Sequence, residues 1–222
     1  MDLRTVIFDL DDTLVVKSQD RQALFDEVAR ITDTPPLDGV SYENAYYEVD
    51  PAETREPIFE AIVDDSSVST AEIAAAYRDA VNDSLAPVDD VEELLVELSE
   101  HMGYALGVLT DGPSISQRSK LDHLGWTDYF DEIVVSGDLG THKPDPVTFE
   151  TILRSLGEPA KASVYVGDKP DADISGAAAV GMTTIQVCYE GGPDVDPDAD
   201  AAVQRSALTA ELPAALRKLS ER

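Results

Sequence analysis

Short apolar runs recur along the chain at residues 5–8, 104–109, 132–135, 163–166 and 183–187. Each is rich in β-branched residues and bounded by Gly, Asp or Pro. A strand that is apolar on both faces has no solvent side, so these runs predict buried strands of a parallel sheet. Helical patterns separate them. Ser114 is placed to cap a helix running toward Gly125, and Pro146 to open one that Gly157 stops. Residues 171–181 read as an Ala-rich helix, and residues 208–219 as a terminal helix in which Pro213 is a local defect. Strand alternating with helix predicts an α/β fold with a mostly parallel sheet.

One stretch departs from that alternation. Residues 16–87 contain no convincing strand. Leu24, Val28 and Ile31 share a helical face, as do Ile58, Ile62 and Val63, and then Ile73, Ala76, Tyr77 and Val81. Pro35, Pro36 and Pro87 punctuate the stretch. The expected organisation is a Rossmann-like core of residues 1–15 and 88–222, with a helical cap domain inserted at 16–87. The acidic, Pro-containing segment 191–200 reads as a solvated loop.

Composition predicts a packed core, since 43% of the 222 residues are hydrophobic and 27% charged. Charge changes the picture more. Forty-five acids face 16 bases, for a formal charge of -29. Such a surface offers no general field to nucleic acid or to an anionic membrane, so neither is an expected partner. It fits either an ordinary acidic protein with a solvated surface or adaptation to a saline cytoplasm, where the Debye length falls to about 3 Å at molar salt and self-repulsion is screened. Cys188 is the sole cysteine, which excludes an internal disulfide, and its setting reads as a buried strand end. No apolar run approaches the ~18 residues of a membrane span. The chain enters its first strand with no signal peptide, so a soluble cytoplasmic protein is expected.

The candidate chemistry sits at the ends of the expected strands, where open α/β sheets bind ligands. Asp9 ends the first, and Asp11 follows on the turn. One carboxylate can attack phosphorus while the other protonates a leaving alkoxide and later deprotonates water. Thr110, Asp111 and Gly112 end the second strand, where a hydroxyl and backbone N–H groups can hold phosphate oxygens. Lys143 follows the third, placed to neutralise a phosphate, and His142 beside it reads as a surface residue. Asp168 ends the fourth, with Asp173 five residues on. Carboxylates crowded in one site suit Mg²⁺, a cation that prefers hard oxygen ligands.

Asp-x-Asp-x-Thr, Thr-x-Gly, Lys-Pro and Gly-Asp-x-x-x-x-Asp, in this order and at strand ends, resemble the four motifs of the haloacid-dehalogenase-like superfamily. The resemblance implies the strand order 5-4-1-2-3 with Asp9 on the central strand, and a small α-helical cap after the first motif. It implies that Asp9 forms an aspartyl-phosphate and that Asp11 is the acid/base, with its backbone carbonyl on the metal. Thr110 and Lys143 would bind the phosphoryl group beside Asp111 and Gly112. Asp168 would ligate Mg²⁺, together with Asp9, and Asp173 would bind the metal or orient its shell. Asp111 stands where many relatives have Asn, and Asp12 where many have Gly. The implied activity is hydrolysis of a small phosphorylated metabolite. A sugar phosphomutase shares the motifs and stays open. A 2-haloacid dehalogenase is less suited, because halide leaves without a proton and needs no Asp11. A phospho-receiver module shares the acidic pair, Thr, Lys and Mg²⁺ but is about half as long. Lys17, Arg21, Tyr46 and Tyr47 are candidates to line the opening, and monomer and homodimer are both open.

The charge generates a test by itself. The melting temperature should climb steeply from dilute buffer to a few tenths molar KCl and more gently up to molar KCl, because screening saturates as the Debye length shrinks. A thermal melt that is flat or falling over this range would remove the saline reading.

Overall fold

The computed structural model describes residues 2–49, 51–64 and 67–221. Its strands are β1 (Thr5–Phe8), β2 (Val15–Lys17), β3 (Leu85–Pro87), β4 (Ala105–Thr110), β5 (Glu132–Val135), β6 (Ser163–Gly167), β7 (Thr183–Cys188) and β8 (Ala201–Gln204). Its α-helices are α1 (Arg21–Thr32), α2 (Gly39–Val49), α3 (Glu56–Ile62), α4 (Thr70–Asp83), α5 (Val91–Val96), α6 (Ser114–Leu124), α7 (Pro146–Leu156), α8 (Gly176–Ala179) and α9 (Leu208–Ser220).

Six strands form one sheet in the order β5-β4-β1-β6-β7-β8, with every neighbouring pair parallel. The expected apolar runs all became strands, in the expected order, and β1 lies between β4 and β6. Alternation along β1 explains the layers. Val6 and Phe8 point into a core shared with Leu94, Leu95, Leu121 and Leu212, while Ile7 points into one shared with Phe149, Ile152 and Tyr165. The β8 strand was not expected. Its four residues follow the acidic loop and pair with β7 through Val187 and Val203, and a strand this short carries too little alternation to be read. Cys188 ends β7 as expected but is only half-buried.

Helix signals held where a breaker marked them. Gly125 and Gly157 end α6 and α7 in the left-handed conformation, at φ 69° and 70°. Ser114 is the first residue of α6, with Pro113 at the cap position. The expected helix over 171–181 is instead a wide π-type turn over 170–175 followed by the short α8. Pro213 lies inside α9 and is buried.

The stretch between β1 and β4 contains helices α1 to α4 around their own core of Phe25, Tyr42, Phe59 and Tyr77, with ring centroids 5.1 to 6.4 Å apart. Such tilted and edge-on pairs add about 0.5–1.5 kcal/mol each beyond burial. Two readings of this stretch are corrected. Ile31 is exposed rather than on the buried face of α1. Strands are present, since β2 and β3 pair antiparallel into a ribbon at residues 15–17 and 85–87. Three residues per strand give no period to detect.

A tight backbone contact joins the helical stretch to the sheet. Ser114 N–H donates to the Ala52 carbonyl at 2.8 Å, and Ile115 N–H to that of Glu53 at 3.0 Å. These carbonyls satisfy two of the N–H groups that the first turn of α6 leaves free. Gly137 permits the approach. A Cβ there would press on the Ala52 carbonyl oxygen and lie 2.6 Å from the Gly112 carbonyl oxygen. Both are backbone atoms that cannot swing aside. Gly137→Ala should therefore destabilise the protein by about 1–3 kcal/mol, the usual scale of overpacking. An unchanged melting temperature would show that the backbone here has room to spare.

Candidate active site

Asp9, Thr110 and Asp168 stand at or just beyond the C-terminal ends of β1, β4 and β6, and parallel pairing puts those ends side by side. Asp173 comes from the π-type turn after β6. Gly167 lets that turn close, because a Cβ at this position would lie 2.5 Å from the Asp173 carboxylate. Lys143 comes from the loop before α7.

Lys143 is the hub. Its Nζ donates to Asp9 Oδ1 at 2.8 Å, to Asp173 Oδ1 at 2.6 Å and to the Tyr165 hydroxyl at 3.0 Å. All four residues are buried. Burial disfavours the ammonium, but Asp173 and Asp9 outweigh it and hold the Lys143 pKa well above its ordinary value. Burial, with Asp173 adding to it, raises the Asp9 pKa to about 7 against the pull of Lys143. Burial, again with Asp173, raises that of Asp168 to about 6.

Carboxylate oxygens of Asp9, Asp168 and Asp173 lie within 4.8 Å of one another. Asp9 Oδ2 is buried with no hydrogen-bond partner among the described residues, an arrangement that costs free energy unless something positive or donating meets it. Hard oxygen donors, raised carboxyl pKa values and an orphaned oxygen together fit a divalent cation. Asp173 is the most committed of the three. Its Oδ1 takes Lys143 and its Oδ2 accepts from Lys169 N–H at 2.9 Å.

Asp11 faces another way. Its carboxylate accepts from Lys120 Nζ at 2.6 and 2.7 Å and from Gln117 Nε2 at 2.9 Å. Burial works to raise its pKa, but Lys120, Lys17 and Gln117 overcome it and hold the carboxyl well below the ordinary range. Gln117 also donates to Thr110 Oγ1 at 2.6 Å, so it ties the two strand-end residues together. Gln117 and Lys120 were missed in the sequence. Their signal is two polar residues on the face of α6 that also carries buried Leu121.

The remaining expected residues divide. Asp111 Oδ1 accepts from Lys143 N–H at 3.2 Å, a role that an Asn oxygen fills equally well. Gly112 N–H, expected to be open to phosphate, donates to Ser136 Oγ at 3.2 Å. Asp12 has φ 63°, the left-handed conformation that glycine adopts most readily. Lys17, Arg21 and Tyr46 line a cavity of about 260 Å³ above Asp11, while the side chain of Tyr47 lies outside the described residues. His142 is exposed.

Residues 6–187 match the family described as haloacid dehalogenase-like hydrolase. The chain is 31% identical to the glyceraldehyde 3-phosphate phosphatase of Methanopyrus kandleri over 209 residues, 89% of each protein. It is 38% identical to the ribulose-1,5-bisphosphate 5-phosphatase of Halopiger xanaduensis over 133 residues, 60% of this chain and 55% of that one. Among solved structures, the 2-haloacid dehalogenase of Pseudomonas syringae superposes with TM-score 0.72 at 27% identity, covering 98% of this chain and 99% of that one. The HAD phosphatase of Thermococcus onnurineus does so with TM-score 0.69 at 25% identity, covering 95% and 98%. Sheet order, strand-end carboxylates and these matches agree, and the chain belongs to the haloacid dehalogenase-like hydrolases.

Proposed function

We propose that this chain is a magnesium-dependent phosphohydrolase of small phosphomonoesters, with Asp9 as nucleophile, Asp11 as acid/base and residues 16–87 as a cap over the site. The observation that carries the reading is Asp9 itself. One oxygen is fixed by Lys143, the other is buried with no partner among the described residues, and the carboxylate clusters with those of Asp168 and Asp173. Relatives named as phosphatases support the same reaction class.

The Asp9 carboxylate attacks phosphorus through one oxygen, forming an O–P bond as the ester O–P bond breaks. Asp11, held ionised by Lys120 in the free site, takes a proton from the monoprotonated phosphoryl group of the bound ester and passes it to the leaving oxygen. Water then attacks the aspartyl-phosphate, Asp11 takes a proton back, and phosphate leaves with Asp9 regenerated. Lys143 offsets charge on Asp9 and on the phosphoryl oxygens, and Asp173 holds Lys143 in place. The Thr110 hydroxyl accepts from Gln117 and is free to donate to a phosphoryl oxygen. Asp9, Asp168 and the Asp11 carbonyl would hold Mg²⁺, with Asp173 beside them, and the cation would offset the negative charge gathered there. Asp11 also separates this reading from dehalogenation, since a departing halide needs no proton.

Two experiments test the proposal. Phosphatase activity should vanish in a chelator and return with Mg²⁺, and Asp9→Asn should bring turnover to near background in a folded protein. Full activity in chelator, or near-normal turnover by Asp9→Asn, would overturn the mechanism. Asp11→Asn should lower turnover by roughly 10²–10⁴, the usual worth of acid/base help. The loss in the first step should be smaller for esters with acidic leaving groups, which depart without a proton. An equal loss across leaving groups, with that step rate-limiting throughout, would assign Asp11 a structural role.

A further inference from the structure

The chain has nearly three acids for every base, yet its bases gather at one cavity. Lys17, Arg21, Arg55 and Lys169 line the space of about 260 Å³ between the helical stretch and the sheet edge, and the buried Lys120 and Lys143 bond to Asp11 and Asp9 at that edge. These are six of the 16 bases in the chain. The three carboxylates that line the cavity each have a basic neighbour. Asp11 pairs with Lys120 at 2.6 Å, Asp12 with Arg205 at 4.0 Å and Glu43 with Arg21 at 3.7 Å.

Arg55 and Lys17 are different. Among the described residues neither has a carboxylate within ion-pair distance. Arg55 is held by neutral groups. Its Nη1 donates to the Tyr42 hydroxyl at 2.6 Å, and its guanidinium lies 5.6 Å from the centroid of the Tyr77 ring. The Arg21 guanidinium lies 5.5 Å from the centroid of the Tyr42 ring. Tyr42 thus holds one arginine at its hydroxyl and another at its face. A half-buried guanidinium without a counter-charge is unfavourable, and in a chain this acidic a carboxylate partner would be easy to supply. The helical stretch instead keeps the positive charge open to the cavity.

A phosphoryl group at Asp9 has its own cation in Lys143, so the charge on the helical side is surplus to it. Guanidinium groups match phosphate and carboxylate oxygens in pairs. We propose, resting on the phosphatase reading of Asp9, that the substrate is a phosphomonoester bearing a second anionic group, and that Lys17, Arg21 and Arg55 bind that group.

The test uses α,ω-diol monophosphates with chains of three to five carbons, the matching bisphosphates, and the matching ω-carboxyalkyl phosphates. Their kcat/KM values are measured with Mg²⁺, and their affinities by calorimetry on Asp9→Asn protein. The second anion should raise kcat/KM and tighten binding about ten- to a hundred-fold at one chain length, and rising KCl should shrink that gain. Comparing bisphosphate with carboxylate then identifies the anion. Arg55→Gln and Lys17→Gln should each bring the ratio of doubly to singly anionic ester down toward one. Lys161→Gln, on the turn before β6, should leave the ratio alone. Should Arg55→Gln fail to fold, Lys17→Gln carries the test, because Lys17 makes no side-chain hydrogen bond among the described residues. Equal turnover of singly and doubly anionic esters by the wild type would overturn the proposal and leave the phosphatase reading standing. Tighter binding of the doubly anionic compounds with no turnover of any ester would do the reverse. Neither turnover nor preferential binding would end both.

Discussion

The structure depends on one buried ammonium. Lys143 Nζ reaches Asp9, Asp173 and Tyr165 from a loop, and so links the ends of β1 and β6 to the entrance of α7. Two buried carboxylates this close cannot both ionise at low free energy without such a partner. The same contact fixes the chemistry. It occupies one oxygen of Asp9 and leaves the other bare. Gly167 and Asp111 serve this arrangement, the first by letting Asp173 approach β6 and the second by accepting from the Lys143 backbone.

A second charge system lies a few residues away and is kept separate. Asp11 is bound to Lys120 and Gln117 on α6, not to Lys143. The two carboxylates of the first motif therefore sit in opposed environments. One has a raised pKa and the other a depressed one. That division holds Asp11 ionised and able to accept a proton, while Asp9 gives up its own proton more readily when further positive charge reaches its bare oxygen.

Much of this was legible in the sequence for a local reason. Asp9, Thr110, Lys143 and Asp168 follow apolar runs, and a parallel sheet brings the ends of such runs together whatever the loops do. The five strands β1, β4, β5, β6 and β7 were legible on the same grounds, whereas their order came from the family resemblance. Gln117 and Lys120 were not, because a polar pair on a helix reads as solvated until α6 is seen packed over Asp11. The ribbon of β2 and β3 and the strand β8 escaped because each is too short to show a period. Ile31 illustrates the opposite error, an apolar residue in phase with a buried face yet exposed near the end of α1. Arg55 gave no sign of its setting, since only the meeting of α2, α3 and α4 brings Tyr42 and Tyr77 around it.

The two backbone hydrogen bonds from Ser114 and Ile115 to residues 52 and 53 make the helical stretch part of the first turn of α6. That helix also carries Gln117 and Lys120, one turn further on, both bound to Asp11. Lifting the helical stretch would uncap the helix that positions Asp11. Access to the cavity and alignment of Asp11 are in this way geared to one another, like a door whose hinge pin also sets the bolt.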